Sequence, residues 1–168
     1  GWLLRPLLKY QTIERTGRFL TNPIIAFFLF NLTFSLWHLP DLYQAALQIH
    51  GIHIFEHLTL LVTAVILWWP ILSPVSELPR PRYLIQVIYL FVLPIAQLIV
   101  FAPITFSTQV IYPFYAEAPR LWGLSALADQ QMGGILMKVT STIIFLLFLT
   151  IVFFRWFNQE EEHSKREN

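Results

Sequence analysis

The sequence predicts an all-α, polytopic integral membrane protein: four transmembrane helices in an antiparallel bundle, with both termini in the cytoplasm. Three observations carry that expectation. The chain is 56% hydrophobic and only 12% charged, about half the usual charge of a soluble domain, so much of its surface is suited to lipid. Four stretches approach the ~20 apolar residues that a helix needs to cross the hydrocarbon core. Basic residues then gather on one side of the resulting topology, as the positive-inside rule requires. The mean hydropathy of +0.59 and the 15 Phe, 6 Trp and 6 Tyr agree with a lipid-facing exterior. The chain has no cysteine, which excludes disulfides, zinc knuckles and thiolate metal sites within it. A net charge of +1 gives no nucleic-acid footprint.

The leading segment, residues 1–21, has basic residues spread along it and no small-residue cleavage site, so it does not read as a secretory signal. Trp2, Leu3, Leu4, Leu7 and Leu8 suit an amphipathic helix lying on the cytoplasmic leaflet. The membrane domain follows over residues 22–156. Its first span, residues 22–38, opens with Asn22 as N-cap and Pro23 at the first helical position, where a missing N–H costs nothing. The second covers residues 51–72 and closes on Trp68-Trp69; the third covers residues 83–103, with Pro94 set to kink it and free a carbonyl. The fourth covers residues 133–154, with Gly133-Gly134 allowing a close helix approach and Trp156 as interface anchor. Residues 157–168 form a charged tail, predicted disordered and cytoplasmic.

Orientation follows from Arg5, Lys9, Arg15, Arg18, Arg80, Arg82, Arg155, Lys165 and Arg166, which make nine of the eleven basic residues fall on one side. The exceptions are Arg120 in the third connection and Lys138, expected to snorkel from the fourth span toward the interface. The connection between the first two spans and the one over residues 104–131 then lie outside. His163 is in the tail, away from the other histidines, and takes no role.

Those other four crowd the outer end of the first two spans. His50, His53 and His57 stand at i, i+3 and i+7, on one stripe of the second helix, with Glu56 beside it. On the first helix Asn31, Ser35 and His38 form a similar stripe ending at the same surface. A short connection makes the two helices antiparallel neighbours, so His38 is expected to face His53 or His57. Ionisable groups at membrane depth are costly and usually face a bundle interior or wet cavity. Single histidines there often do no more than cap helix ends, but four with a carboxylate suggest a metal or cofactor site. Imidazole suits copper, zinc and iron, and a carboxylate commonly orients a ligating imidazole. Asp129 and Met132, at the start of the fourth span, lie at the same depth and can complete the set, as can His50 at the rim. Core or lipid packing explains Met132 and Met137 adequately, and interhelical hydrogen bonding explains Gln86 and Gln97.

Two other chemistries stay open. His53-Ile54-Phe55-Glu56-His57 has the H-x-x-E-H spacing of zinc metallopeptidases, where two histidines hold zinc and the glutamate acts as base. A histidine pair on facing helices can also ligate haem iron.

The run TNPIIAFFLFNLTFSLWHLPDLYQAAL, followed by HIFEHLTLLVTAVILWWPIL, resembles the CtaG family of bacterial cytochrome c oxidase assembly factors. The stretches TFSTQVIYPFY and WGLSALADQQMGGILMK extend the similarity over residues 2–156. W-H-x-P, H-x-x-E-H, W-W-P and D-Q-Q occur in that order. The resemblance implies a non-enzymatic factor of the bacterial cytoplasmic membrane, acting on cytochrome c oxidase subunits, with copper supply as its most direct chemistry. A structural membrane chaperone without metal is the competing reading. The family's polar signature falls on His38, His53, Glu56, His57, Asp129, Gln130 and Gln131. Family members usually carry more spans ahead of this region, so the chain matches their C-terminal part or a short member.

Overall fold

A computed structural model of the chain describes residues 5–120 and 123–167. Among them every regular element is a helix. Trp2, Leu3 and Leu4 of the expected amphipathic segment lie outside the described residues, as do the side chains of Leu7 and His163.

The chain begins with α1 (Arg5–Leu8) and α2 (Gln11–Leu20), then bends by 68° into α3 (Pro23–Trp37). The bend is set locally. Asn22 Oδ1 accepts the Ile24 N–H at 3.0 Å and Pro23 begins the helix, so α3 starts afresh instead of continuing α2. At 15 residues, α3 is about 22 Å long, short of the ~30 Å hydrocarbon core. Among the described residues three units are long and apolar enough to span a membrane alone, and α2 with α3 qualifies only as a bent pair. The bundle therefore has three to four candidate spans.

α4 (Pro40–Gln48) fills the first connection, which the sequence pattern left as a turn, and packs on α5 (His50–Leu72). α3 and α5 run antiparallel: the Trp37 indole N–H donates to Thr59 Oγ1 at 2.9 Å near one end, and Phe27 and Phe30 pack around Leu67 toward the other. Ser73 ends α5 and folds the next connection on itself, its hydroxyl donating to Leu78 O at 2.5 Å while Arg80 donates to Ser73 O. Leu8 is buried with Val75 and Leu78 against this connection, so α1 and α2 sit at the same end of the bundle.

The third span is broken. α6 (Tyr83–Ala96) stops before Gln97 and α7 (Leu98–Phe106) resumes after it. Pro94 lacks the N–H that would bond Leu90, and its ring crowds the preceding turn, which places the break within one turn of the residue expected to cause it. After α8 (Pro113–Glu117) comes α9 (Ala126–Glu167), 42 residues in one helix. α9 runs antiparallel to α6 and α7 and carries most of their packing.

Three expectations need correction. Lys138 does not snorkel outward: its Nζ donates to Pro94 O at 2.6 Å, where an unbroken helix would supply a backbone N–H from the next turn. The fourth helix starts at Ala126, so residues 126–131 belong to its first turns and not to a loop. The tail is helical, because α9 is already nucleated and i,i+4 pairs carry it forward. Trp156 Nε1–H donates to Glu160 at 3.2 Å and Lys165 to Glu161 at 2.6 Å.

Besides the small cluster of Leu8, Val75 and Leu78, the buried core among the described residues forms two clusters within the bundle. Leu67, Tyr89, Leu90, Leu93 and Phe145 bury one cluster across α5, α6 and α9, where the Tyr89 hydroxyl donates to Leu67 O at 2.7 Å. Val100, Phe101, Ile104 and Tyr112 form the second, nearer the histidine end. Outside it, Ile24, Phe28, Leu32 and Leu36 make an exposed stripe at four-residue spacing along α3, a lipid-facing surface by composition.

Gly134 brings α9 onto α7. A Cβ there would stand 2.5 Å from Thr105 Oγ1 and 3.1 Å from Thr105 N, whereas one at Gly133 meets nothing within 4 Å. Gly134→Ala is therefore expected to destabilise by about 1–3 kcal/mol through overpacking, while Gly133→Ala is neutral or stabilising by up to ~1 kcal/mol through helix propensity. Thermal unfolding of the two variants in detergent checks this, and equal midpoints would refute the close approach.

Candidate metal centre and adjoining cavity

The polar residues at the N-terminal end of α5 fall into two adjoining places that share Glu56. The first is on α5 itself. His53 and His57 are one turn apart, with Nε2 atoms 3.1 Å from each other and rings 4.4 Å apart at 73°. His53 Nδ1 stands 3.9 Å from Glu56 Oε2. The three residues offer ligand atoms that all lie within 4.8 Å of one another. His57 is exposed, the His53 side chain is 45% exposed and that of Glu56 14%. The H-x-x-E-H spacing produces this directly, since i, i+3 and i+4 share a helix face.

His50 is the first residue of α5, exposed and outside that group. His38 does not join it either, contrary to the expectation that it faces His53 or His57. The seam between α3 and α5 is taken by Trp37, buried, bonded to Thr59 and edge-on to Phe55 at 6.0 Å. One residue further round, by about 100°, His38 turns toward α7 and α8. Its Nδ1–H donates to Phe34 O at 2.7 Å and its own carbonyl accepts the Tyr112 hydroxyl at 2.9 Å. That bond fixes the tautomer and leaves Nε2 as the nitrogen with a free lone pair.

His38 lines a cavity of about 400 Å³ with Glu56, Asp129, Met137 and the tyrosines Tyr43, Tyr112 and Tyr115. The Tyr43 and Tyr115 hydroxyls are 2.8 Å apart. Burial pushes the Tyr112 phenol up to about 12. Burial, and then its bond to Tyr115, raises that of Tyr43. Both hydroxyls thus stay protonated at neutral pH and present neutral, hydrogen-bonding walls. Spacing did not single these tyrosines out, although TFSTQVIYPFY contains two of them.

Asp129 reaches the cavity from the first turn of α9. Its neighbours serve the fold: Gln130 Oε1 accepts the Ile111 N–H at 2.7 Å, its Nε2 donates to Gln109 O at 3.3 Å, and Gln131 Nε2 donates to Ser107 O at 2.9 Å. The two glutamines thereby clamp the segment after α7. Met132 is 47% exposed and does not line the cavity; the thioether at its wall is Met137.

A family model described as cytochrome c oxidase caa3 assembly factor (Caa3_CtaG) matches residues 2–159. An uncharacterised protein of Mycobacterium bovis and one of Mycobacterium tuberculosis are each 27% identical over 166 residues, which is 98% of this chain and 25% of theirs. The chain therefore spans about a quarter of the length of these relatives. No solved structure matches.

Gln130→Leu removes the acceptor of a part-buried N–H, a loss of about 1–3 kcal/mol. Hydrogen exchange around Ile111 is expected to quicken while that along α5 does not change; unaltered protection at Ile111 would show that the clamp is immaterial.

Proposed function

The chain belongs to the family of cytochrome c oxidase caa3 assembly factors, and on that premise we propose that it binds copper transiently through His53 and His57 during maturation of the oxidase. One observation carries this reading: two imidazole nitrogens 3.1 Å apart with a carboxylate 3.9 Å behind one of them. Nitrogens bound at about 2.0–2.1 Å to a tetrahedral ion lie about 3.3 Å from each other, so the pair is close to the spacing that one ion requires. Imidazole suits copper, and Glu56 is placed to hold His53 in the tautomer that turns Nε2 toward an ion. In the metal-free state one Nε2–H donates to the other, and binding an ion displaces that proton.

His38 Nε2, Asp129 and Met137 stand around the cavity that Glu56 also lines. In this reading they are the next donors, receiving the cargo from an exposed pair and holding it where tyrosines exclude most water. His50 and Met132 have no part. The role is non-enzymatic, the partners are oxidase subunits, and the place is the bacterial cytoplasmic membrane. The histidine end faces outward and both termini face the cytoplasm. Nine of eleven basic residues support that orientation, and the packing of α1, α2 and the residue 73–82 connection at one end supports it further.

The contact between His53 and His57 also favours a second reading, since it pairs their Nε2 atoms without an ion: a structural chaperone that holds an oxidase subunit through its exposed apolar helix faces. The hydrolase chemistry of H-x-x-E-H would need zinc and a third ligand, which the group His53, Glu56, His57 does not supply once Glu56 acts as base. A haem held between facing helices would need His38 opposite His53 or His57, and the turn of His38 toward α7 and α8, with Nδ1 donating to Phe34 O, does not favour it.

Metal analysis of purified protein separates these readings. About one copper per chain is expected, abolished by His53→Ala/His57→Ala and weakened about 10–100-fold by Glu56→Gln. A double variant that still supports oxidase assembly at the wild-type level would leave the chaperone reading and remove the copper one.

A further inference from the structure

At the end of the bundle opposite the histidines, α6 and α9 leave a cavity of about 680 Å³. Arg80, Arg82, Tyr83, Trp156, Gln159 and Glu160 line it. Among the described residues Arg82 is exposed and makes no ion pair, and Arg80 donates to the Ser73 carbonyl. Glu160, the one acid among the described lining residues, accepts the Trp156 indole N–H at 3.2 Å. Arg82 is also the N-cap residue of α6, and no side chain caps that helix. Its first N–H groups and the positive end of its dipole therefore add to the two guanidinium groups.

The same helix seam continues into a second hollow of about 510 Å³, lined by Val87, Ile88, Phe91, Leu149, Phe153 and Thr150. Its lining begins one residue beyond Gln86 of the first cavity, and Phe153 touches Trp156 at 6.0 Å between ring centres. From Tyr83 to Phe91 the groove follows α6 for about 12 Å, enough for the upper half of an acyl chain. A cationic, hydrogen-bonding cup joined lengthwise to an apolar trough matches one class of molecule. We infer that the seam between α6 and α9 is a binding site for an anionic phospholipid, its phosphate against Arg80, Arg82 and the start of α6, one chain along Ile88 and Phe91. A free phosphate would use only the cup and leave the trough uncovered. The site is independent of the metal reading, and no residue of the histidine end takes part in it.

The test is native mass spectrometry of the full chain released from detergent with phosphatidylglycerol, phosphatidylcholine or glycerol phosphate added at equal concentration. Phosphatidylglycerol is expected to be retained about fivefold or more above phosphatidylcholine, the weight of roughly one near-surface arginine. Arg82→Gln should erase that preference. Thr150→Trp, which fills the trough and leaves both arginines in place, should lower retention of both lipids without touching the preference. Equal retention of the two lipids by the wild type would overturn the inference. So would an unchanged preference in Arg82→Gln, unchanged retention in Thr150→Trp, or binding of glycerol phosphate as strong as that of the lipid.

Discussion

A carbonyl without a donor costs several kcal/mol where no water reaches it, yet this chain interrupts its most apolar helical stretch at Gln97. The interruption persists because α9 answers it along a single face. Gln130, Gly134 and Lys138 follow one another at four-residue spacing. Gln130 bonds the backbone after α7, Gly134 admits Thr105 to near contact, and Lys138 bonds Pro94 O. A lysine in the middle of an oily helix is thus explained by the proline opposite it. The cavity depends on this as well: the break sets the course of α7, and the clamp of Gln130 and Gln131 holds the segment leading to Tyr112 and Tyr115.

The molecule therefore consists of two packed groups, α3 with α5 and α6–α7 with α9, which meet through aromatic rings such as Trp68 on Phe145 at 5.6 Å. The histidine pair belongs wholly to the first group, and Asp129 and Met137 to the second. Glu56 is the residue common to both places, a ligand-distance neighbour of His53 and His57 and a wall of the cavity. Any relative shift of the two groups changes what Glu56 faces.

Much of this was legible in the residues. Helix periodicity alone places His53, Glu56 and His57 together, because a single helix fixes their relations. Pro94 announces the break, and Asn22-Pro23 the start of α3. What periodicity cannot supply is the rotation of one helix against another. Trp37 and His38 are equally polar-tipped at the end of α3, and the larger ring takes the seam because it buries more surface and finds Thr59; His38 is thereby turned to the cavity. The tyrosines were unreadable for a similar reason, since they come from two connections whose paths depend on the clamp. The tail looked disordered because its composition is, but the helix behind it had already met the cost of nucleation.

The length of α9 has a mechanical meaning. From Gln130 to Glu160 the axis covers about 45 Å at 1.5 Å per residue, with no break in the 42-residue helix. One unbroken rod therefore carries both Asp129 and Glu160, and it sets the distance between the histidine end and the arginine end as a single rigid spacer would.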